Sequence, residues 1–237
     1  MLSVSFVGAQ SQPGMHTVTA TGRVEFTGVK GGGPRNLSNV VVWLTPVPGA
    51  APVADPVSPL AGAGLVHPMF VQKNKSFNPH ILVVPVGTVV EFPNRDPFFH
   101  NVFSLFEGKR FDLGLYEAGS SRTVEFNRVG ISYIFCNIHP EMSAVVVALG
   151  TRYHAISDAQ GNLAIPNVVP GRYVMHVFYE SAPQDALKSL TSEINISSEA
   201  ASLRVLSIPA ASRAPHKNKY GRDYEAPLPD TPPYAHP

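Results

Sequence analysis

The sequence predicts an all-β protein with more than one sandwich, and three observations carry that expectation. Apolar and β-branched residues come in short runs bounded by turn residues, not at helical spacing. Glycine (19) and proline (23) are frequent enough to punctuate such runs repeatedly. The chain has 237 residues and 44% hydrophobic content, enough for two ordinary domains with packed cores.

The elements follow in chain order. Met1 to Ala9 reads as the tail of a signal peptide, and Val7-Gly8-Ala9 offers a small-residue cleavage site; residues 1–14 are expected to be a signal-peptide remnant or a disordered N-terminus. Thr17 to Phe26 reads as a strand. Gly31-Gly32-Gly33-Pro34 is a break, and Val40 to Leu44 is apolar enough for a strand buried on both faces. From Pro46 to Gly64 the composition shifts to Pro, Ala and Gly with almost no charge, which places a linker at residues 51–65. Ser132 to Phe135 and Ser143 to Leu149 read as strands flanking a short loop. Strand-like sequence resumes after Gly150. Tyr153 to Asp158 leads through a turn at Ala159 to Asn162 into Leu163 to Val177. The seven prolines from Pro209 to Pro237 interrupt any regular element, so residues 208–237 are expected to wrap the surface or stay disordered.

The loop after Phe135 carries the chemistry. Cys136 is the sole cysteine and opens the run Cys136-Asn137-Ile138-His139-Pro140-Glu141-Met142. His100 stands upstream in Asp96-Pro97-Phe98-Phe99-His100-Asn101. Taken singly, a lone cysteine is usually a small buried hydrophobe, and a lone histidine or methionine usually packs or faces solvent. Together, two imidazoles, a thiolate and a thioether are the ligand set of a blue-copper electron-transfer site. A short loop between two strands brings three such ligands round one metal, and a distant strand adds the fourth.

Over about residues 66–149 the chain resembles the cupredoxins of the plastocyanin and amicyanin group. Gly87-Thr88-Val89-Val90-Glu91-Phe92-Pro93-Asn94, followed by His100-Asn101, is similar to the family's strand, asparagine and first ligand. Gly130-Ile131-Ser132-Tyr133-Ile134-Phe135-Cys136 is similar to its approach to the ligand loop, and the two-residue gap from His139 to Met142 is similar to amicyanin. The resemblance implies a Greek-key sandwich holding one type 1 copper on His100, Cys136, His139 and Met142. It implies that Asn101 ties the two ligand loops together, and that electrons leave through the loop histidine. Phe98, Phe99, Ile138 and Pro140 are candidates for the apolar patch around that exit. His67 and His80 leave room for a second metal site.

A second resemblance frames the first. Asp158, Gly161, Pro170, Gly171 and Tyr173 stand where the carboxypeptidase regulatory-like family has its Asp, Gly-turn and Pro-Gly-x-Tyr motif, a small transthyretin-like β-sandwich. The early strands of such a sandwich lie before the linker. The expectation is a discontinuous regulatory-like sandwich of residues 15–50 plus 150–207, with the cupredoxin nested in it; two sandwiches side by side are the alternative. A lone hairpin of residues 17–50 is marginal in water, which favours nesting.

A net charge of +1 argues against nucleic acid or an anionic membrane as partner, and no stretch is long enough to span a bilayer. A single cysteine excludes an internal disulfide, and a metal-bound thiolate is compatible with an oxidising, periplasmic or secreted setting. The expected function is that of an exported carrier of single electrons between redox proteins. The alternative is a copper-binding or sensing module whose regulatory-like sandwich docks a partner. An enzyme is not expected: copper oxidases and nitrite reductases need further centres, usually with His-x-His pairs, and none occurs.

Overall fold

The computed structural model describes residues 16–28, 36–49, 67–105, 108–209 and 215–224. The expected leader at 1–14 and linker at 51–65 lie outside them. The strands are β1 (Val18–Thr27), β2 (Val41–Pro46), β3 (Val71–Gln72), β4 (Phe77–Asn78), β5 (Ile81–Pro85), β6 (Thr88–Pro93), β7 (His100–Ser104) and β8 (Phe111–Tyr116). They continue as β9 (Ser121–Phe126), β10 (Gly130–Cys136), β11 (Ser143–Leu149), β12 (His154–Ile156), β13 (Asn162–Val168) and β14 (Gly171–Phe178). A seven-residue helix, α1 (Gln184–Leu190), precedes β15 (Ser192–Ile196) and β16 (Ser202–Pro209). The protein is all-β.

Strands group by pairing, not by sequence order. β1 lies between β13 and β16, antiparallel to the first and parallel to the second. β2 lies between β12 and β14, with β15 outside β14. Both early strands therefore pair with strands that follow residue 153. The Ser157 hydroxyl reinforces this: it accepts from the Val40 N–H and donates to the Leu37 carbonyl. Gly161 belongs to the same seam. Its φ of +84° suits the turn after Asp158, and a Cβ there would stand 2.6 Å from the Val24 carbonyl oxygen, so only glycine fits. The Tyr173 hydroxyl donates to the Val169 carbonyl at 2.5 Å, bracing the Pro170-Gly171 turn.

Strands between residues 71 and 149 pair among themselves. β5, β11, β10, β7 and β8 form a five-stranded sheet, while β6 pairs with β9 and β3 with β4. Their core contains Phe70, Val90, Phe92, Val102, Phe126, Ile134, Cys136 and Met142. β11 divides its side chains between two cores. Ala144, Val146 and Ala148 face this one, whereas Val145, Val147 and Leu149 join a second buried cluster with Val41, Phe178 and Leu187. Period-2 alternation on a strand buried on both faces explains the unbroken apolar run at 143–149. Tyr133 meets Phe178 edge-on at 6.1 Å, and His80 Nε2 lies 2.7 Å from the buried Glu180 carboxylate, across the same seam.

Candidate metal centre

The site sits where β7 begins and β10 ends. Antiparallel pairing of Cys136 with Val102 brings the two strands together one step from His100–Asn101. The ligand loop then turns back at once: the Met142 N–H donates to the His139 carbonyl and the Cys136 N–H to the Met142 carbonyl. This closure lets Cys136 and His139 of one short loop share a centre with His100 of another strand.

His100 Nδ1, His139 Nδ1 and Cys136 Sγ form a triangle with edges of 3.2, 3.5 and 3.6 Å. Its centre lies about 2.0 Å from each corner, a metal–imidazole bond length. All three side chains are buried. His100 turns its Nε2 to Asp96, which leaves the Nδ1 lone pair facing His139 Nδ1 at 3.2 Å and the Cys136 sulfur, a convergence of donor atoms that suits a metal ion. No other group of three such side chains is found among the described residues. In particular, His80 is engaged by Glu180 and no metal cluster includes His67.

The electrostatics of the two imidazoles favour coordination. Burial pushes the His139 imidazole down to about 4, and the neighbouring His100 adds to that depression. Burial likewise lowers His100, against the opposing pull of Asp96. Both rings are thus neutral with lone pairs available at neutral pH. Burial pushes the Cys136 thiol up, while the main-chain N–H groups of Asn101, Ile138 and His139 act in the opposite direction by bonding to sulfur.

Asp96 went unremarked in the sequence, yet its role is legible in the geometry. Its carboxylate lies 3.0 Å from His100 Nε2, which fixes the ring with Nδ1 toward the centre. The carboxylate in turn accepts from the Asn74 and Lys75 N–H groups at 2.5 and 3.0 Å. Burial alone would raise Asp96, but these bonds and the His100 ring bring it below the usual carboxylate value. Asn94 organises the turn that presents it: its side chain accepts from the Asp96 N–H and donates to the Phe98 carbonyl. A ligating histidine needs an acceptor for its second nitrogen, and an aspartate four residues before His100 was the available signal.

Asn101 joins the loops through its main chain. Its carbonyl accepts from the Asn137 N–H at 2.8 Å and its N–H reaches the Cys136 sulfur, whereas its side chain donates to Asp112 and the Gly114 carbonyl on β8. Met142 is fully buried in the loop. The Phe98 ring lies 5.4 Å from both imidazoles, tilted to each. Around it, Phe99 is half-buried, and Ile138 (41% exposed) and Pro140 reach solvent. Leu115 on β8, paired with Asn101 and 61% exposed, was not anticipated in this neighbourhood.

No protein-family model and no curated protein matches the chain. Several solved structures are similar to part of it. A purple cupredoxin from Nitrosopumilus maritimus is 23% identical, with 35% of this chain and 99% of that one covered at a TM-score of 0.32. A Cu-containing nitrite reductase (NirK) from Thermus scotoductus SA-01 is 26% identical over 45% of this chain, only 28% of its own length, at a TM-score of 0.36. An amicyanin variant in its oxidised state is 22% identical, with 35% of this chain and 82% of that one covered at a TM-score of 0.33.

Proposed function

We propose that the protein is an electron carrier with one type 1 copper, which His100, Cys136, His139 and Met142 would hold. The observation that carries this reading is the buried triangle of two imidazole nitrogens and a sulfur, each about 2.0 Å from a common centre. Bound there, copper supplies one-electron chemistry by alternating between its cuprous and cupric states. The chain's own contribution is rigidity. Burial keeps water from the donors, Asp96 fixes the His100 ring, and the main-chain N–H groups of Asn101, Ile138 and His139 bond to the sulfur. Such a frame changes little between oxidation states, which keeps the reorganisation on electron transfer small.

The proposed exit is His139, at the rim made by Phe98, Phe99, Ile138 and Pro140. An apolar rim lets a redox protein dock closely, and a net charge of +1 leaves little electrostatic steering. Export to the periplasm or outside the cell is part of this reading; no helix among the described residues is long and apolar enough to cross a membrane. The nested architecture is also proposed: residues 15–50 and 150–207 form a regulatory-like sandwich with the cupredoxin unit of 66–149 inserted. The pairing of β1 and β2 with strands beyond residue 153 supports it. The direct test is copper loading of the full chain. An intense thiolate-to-copper band is expected, and Cys136→Ser removes it.

A further inference from the structure

Residues 215–224 lie against the ligand loop. Asn218 closes them into a tight turn: its N–H donates to the Arg222 carbonyl, its carbonyl accepts from Gly221, and its side chain accepts from the N–H groups of Tyr220 and Arg222. The turn aims its two ends at the loop. On one side the Lys219 N–H donates to the Asn137 side chain at 3.0 Å, and the Lys219 ammonium reaches Asp112 at 2.7 Å. Asp112 also accepts from the side chain of Asn101, so the strap and β7 share one carboxylate. On the other side the Tyr224 hydroxyl donates to the Cys136 carbonyl at 2.6 Å. The His216 ring stacks on Phe135 at 4.1 Å and meets the Tyr224 ring edge-on at 5.3 Å. Apart from the Lys219–Asp112 pair, these contacts fall on three consecutive residues, Phe135, Cys136 and Asn137, at the point where β10 becomes the ligand loop.

We propose that this C-terminal strap positions the Cys136 ligand, with Tyr224 and Lys219 as positioning residues of the metal centre. A hydrogen bond to the Cys136 carbonyl fixes the peptide plane after the ligand, whose other edge, the Asn137 N–H, donates to the Asn101 carbonyl; held at both edges, that plane anchors the start of the loop that carries the Ile138 and His139 N–H groups bonded to the sulfur. The strap therefore acts on how firmly the sulfur is held without touching it. A tail merely packed on the surface would gain from ring stacking alone. It would not need a turn that sets one donor on the Cys136 carbonyl and another on the next side chain.

The inference rests on the copper reading for its spectroscopic arm. In the full, copper-loaded chain, Tyr224→Phe removes the hydroxyl and keeps the ring. It is expected to shift the thiolate-to-copper band and the reduction potential, and to speed copper release to EDTA about fivefold, the worth of one hydrogen bond. His216→Ala is expected to act in the same direction. Asp223→Asn, at a side chain 91% exposed on the same strap, should leave all three unchanged. Identical band, potential and release rate in Tyr224→Phe and His216→Ala would overturn the proposal. If the intact chain develops no charge-transfer band at all, the copper reading fails, and amide exchange at Asn137 in the metal-free chain decides the strap. About fivefold faster exchange in Tyr224→Phe upholds it, and unchanged exchange overturns it.

Discussion

His139 shows how burial readies an imidazole for the proposed metal. The folded chain keeps its ring neutral down to about pH 4, whereas an imidazole in the unfolded chain takes its proton near 6.5. Between those values the unfolded chain binds more protons. This depressed histidine therefore contributes stability above pH 6.5 that is lost as pH falls toward 4. Urea unfolding of the metal-free protein should lose about 2–3 kcal/mol from this residue across that window, and His139→Gln should flatten the slope accordingly. A slope identical in the variant would contradict it. At this scale the sequence was readable where residue type alone selects the chemistry. Cys136, His139 and Met142 announce themselves because a thiol, an imidazole and a thioether rarely share seven residues. Asp96, Lys219 and Tyr224 did not, since aspartate, lysine and tyrosine are ordinary surface residues until the fold brings them to a ligand.

In the proposed function, electron exit depends on the loop that carries His139. Ile138 and Pro140 flank His139 and reach solvent, while Phe98 comes from the turn before β7. Ile138→Lys should leave the copper spectrum nearly unchanged, because residue 138 supplies no ligand atom. It should slow electron self-exchange severalfold by placing like charges across the contact, and more so at low ionic strength. Unaltered self-exchange in a correctly coloured variant would move the exit elsewhere, with exposed Leu115 as the next surface to test. Strands β10 and β11 were plain from their β-branched and aromatic runs. What covers the outer face of β11 was not, because alternation tells that a face is buried and not by which partner.

Across the whole molecule the two groups of strands share buried surface. Ile81, Val145, Val147 and Leu149 leave the core around Met142 and pack with Val41, Phe178 and Leu187. Sequence reasoning alone expects residues 66–149 to form a cupredoxin unit nested in or beside the other sandwich. The shared cluster adds a condition: cut free, that unit exposes an apolar stripe, and it should self-associate on size exclusion. Val145→Thr with Val147→Thr should restore a monomer that still binds copper. A monomeric, unmodified 66–149 fragment would show that the shared surface contributes little. The pairing of β1 and β2 with strands more than a hundred residues later was suggested by the return of similar sequence after Gly150. Its register was beyond reach, because strand pairing at such separation is set by packing and not by local pattern.

The most direct measurement is the visible spectrum of the full chain after loading with cupric ion, beside Cys136→Ser treated identically. A buried triangle of two imidazole nitrogens and one thiolate predicts an intense charge-transfer band that survives dialysis, disappears on reduction, returns on oxidation and is absent from the serine variant. A colourless copper-loaded protein, or a band retained without the Cys136 sulfur, would contradict the account.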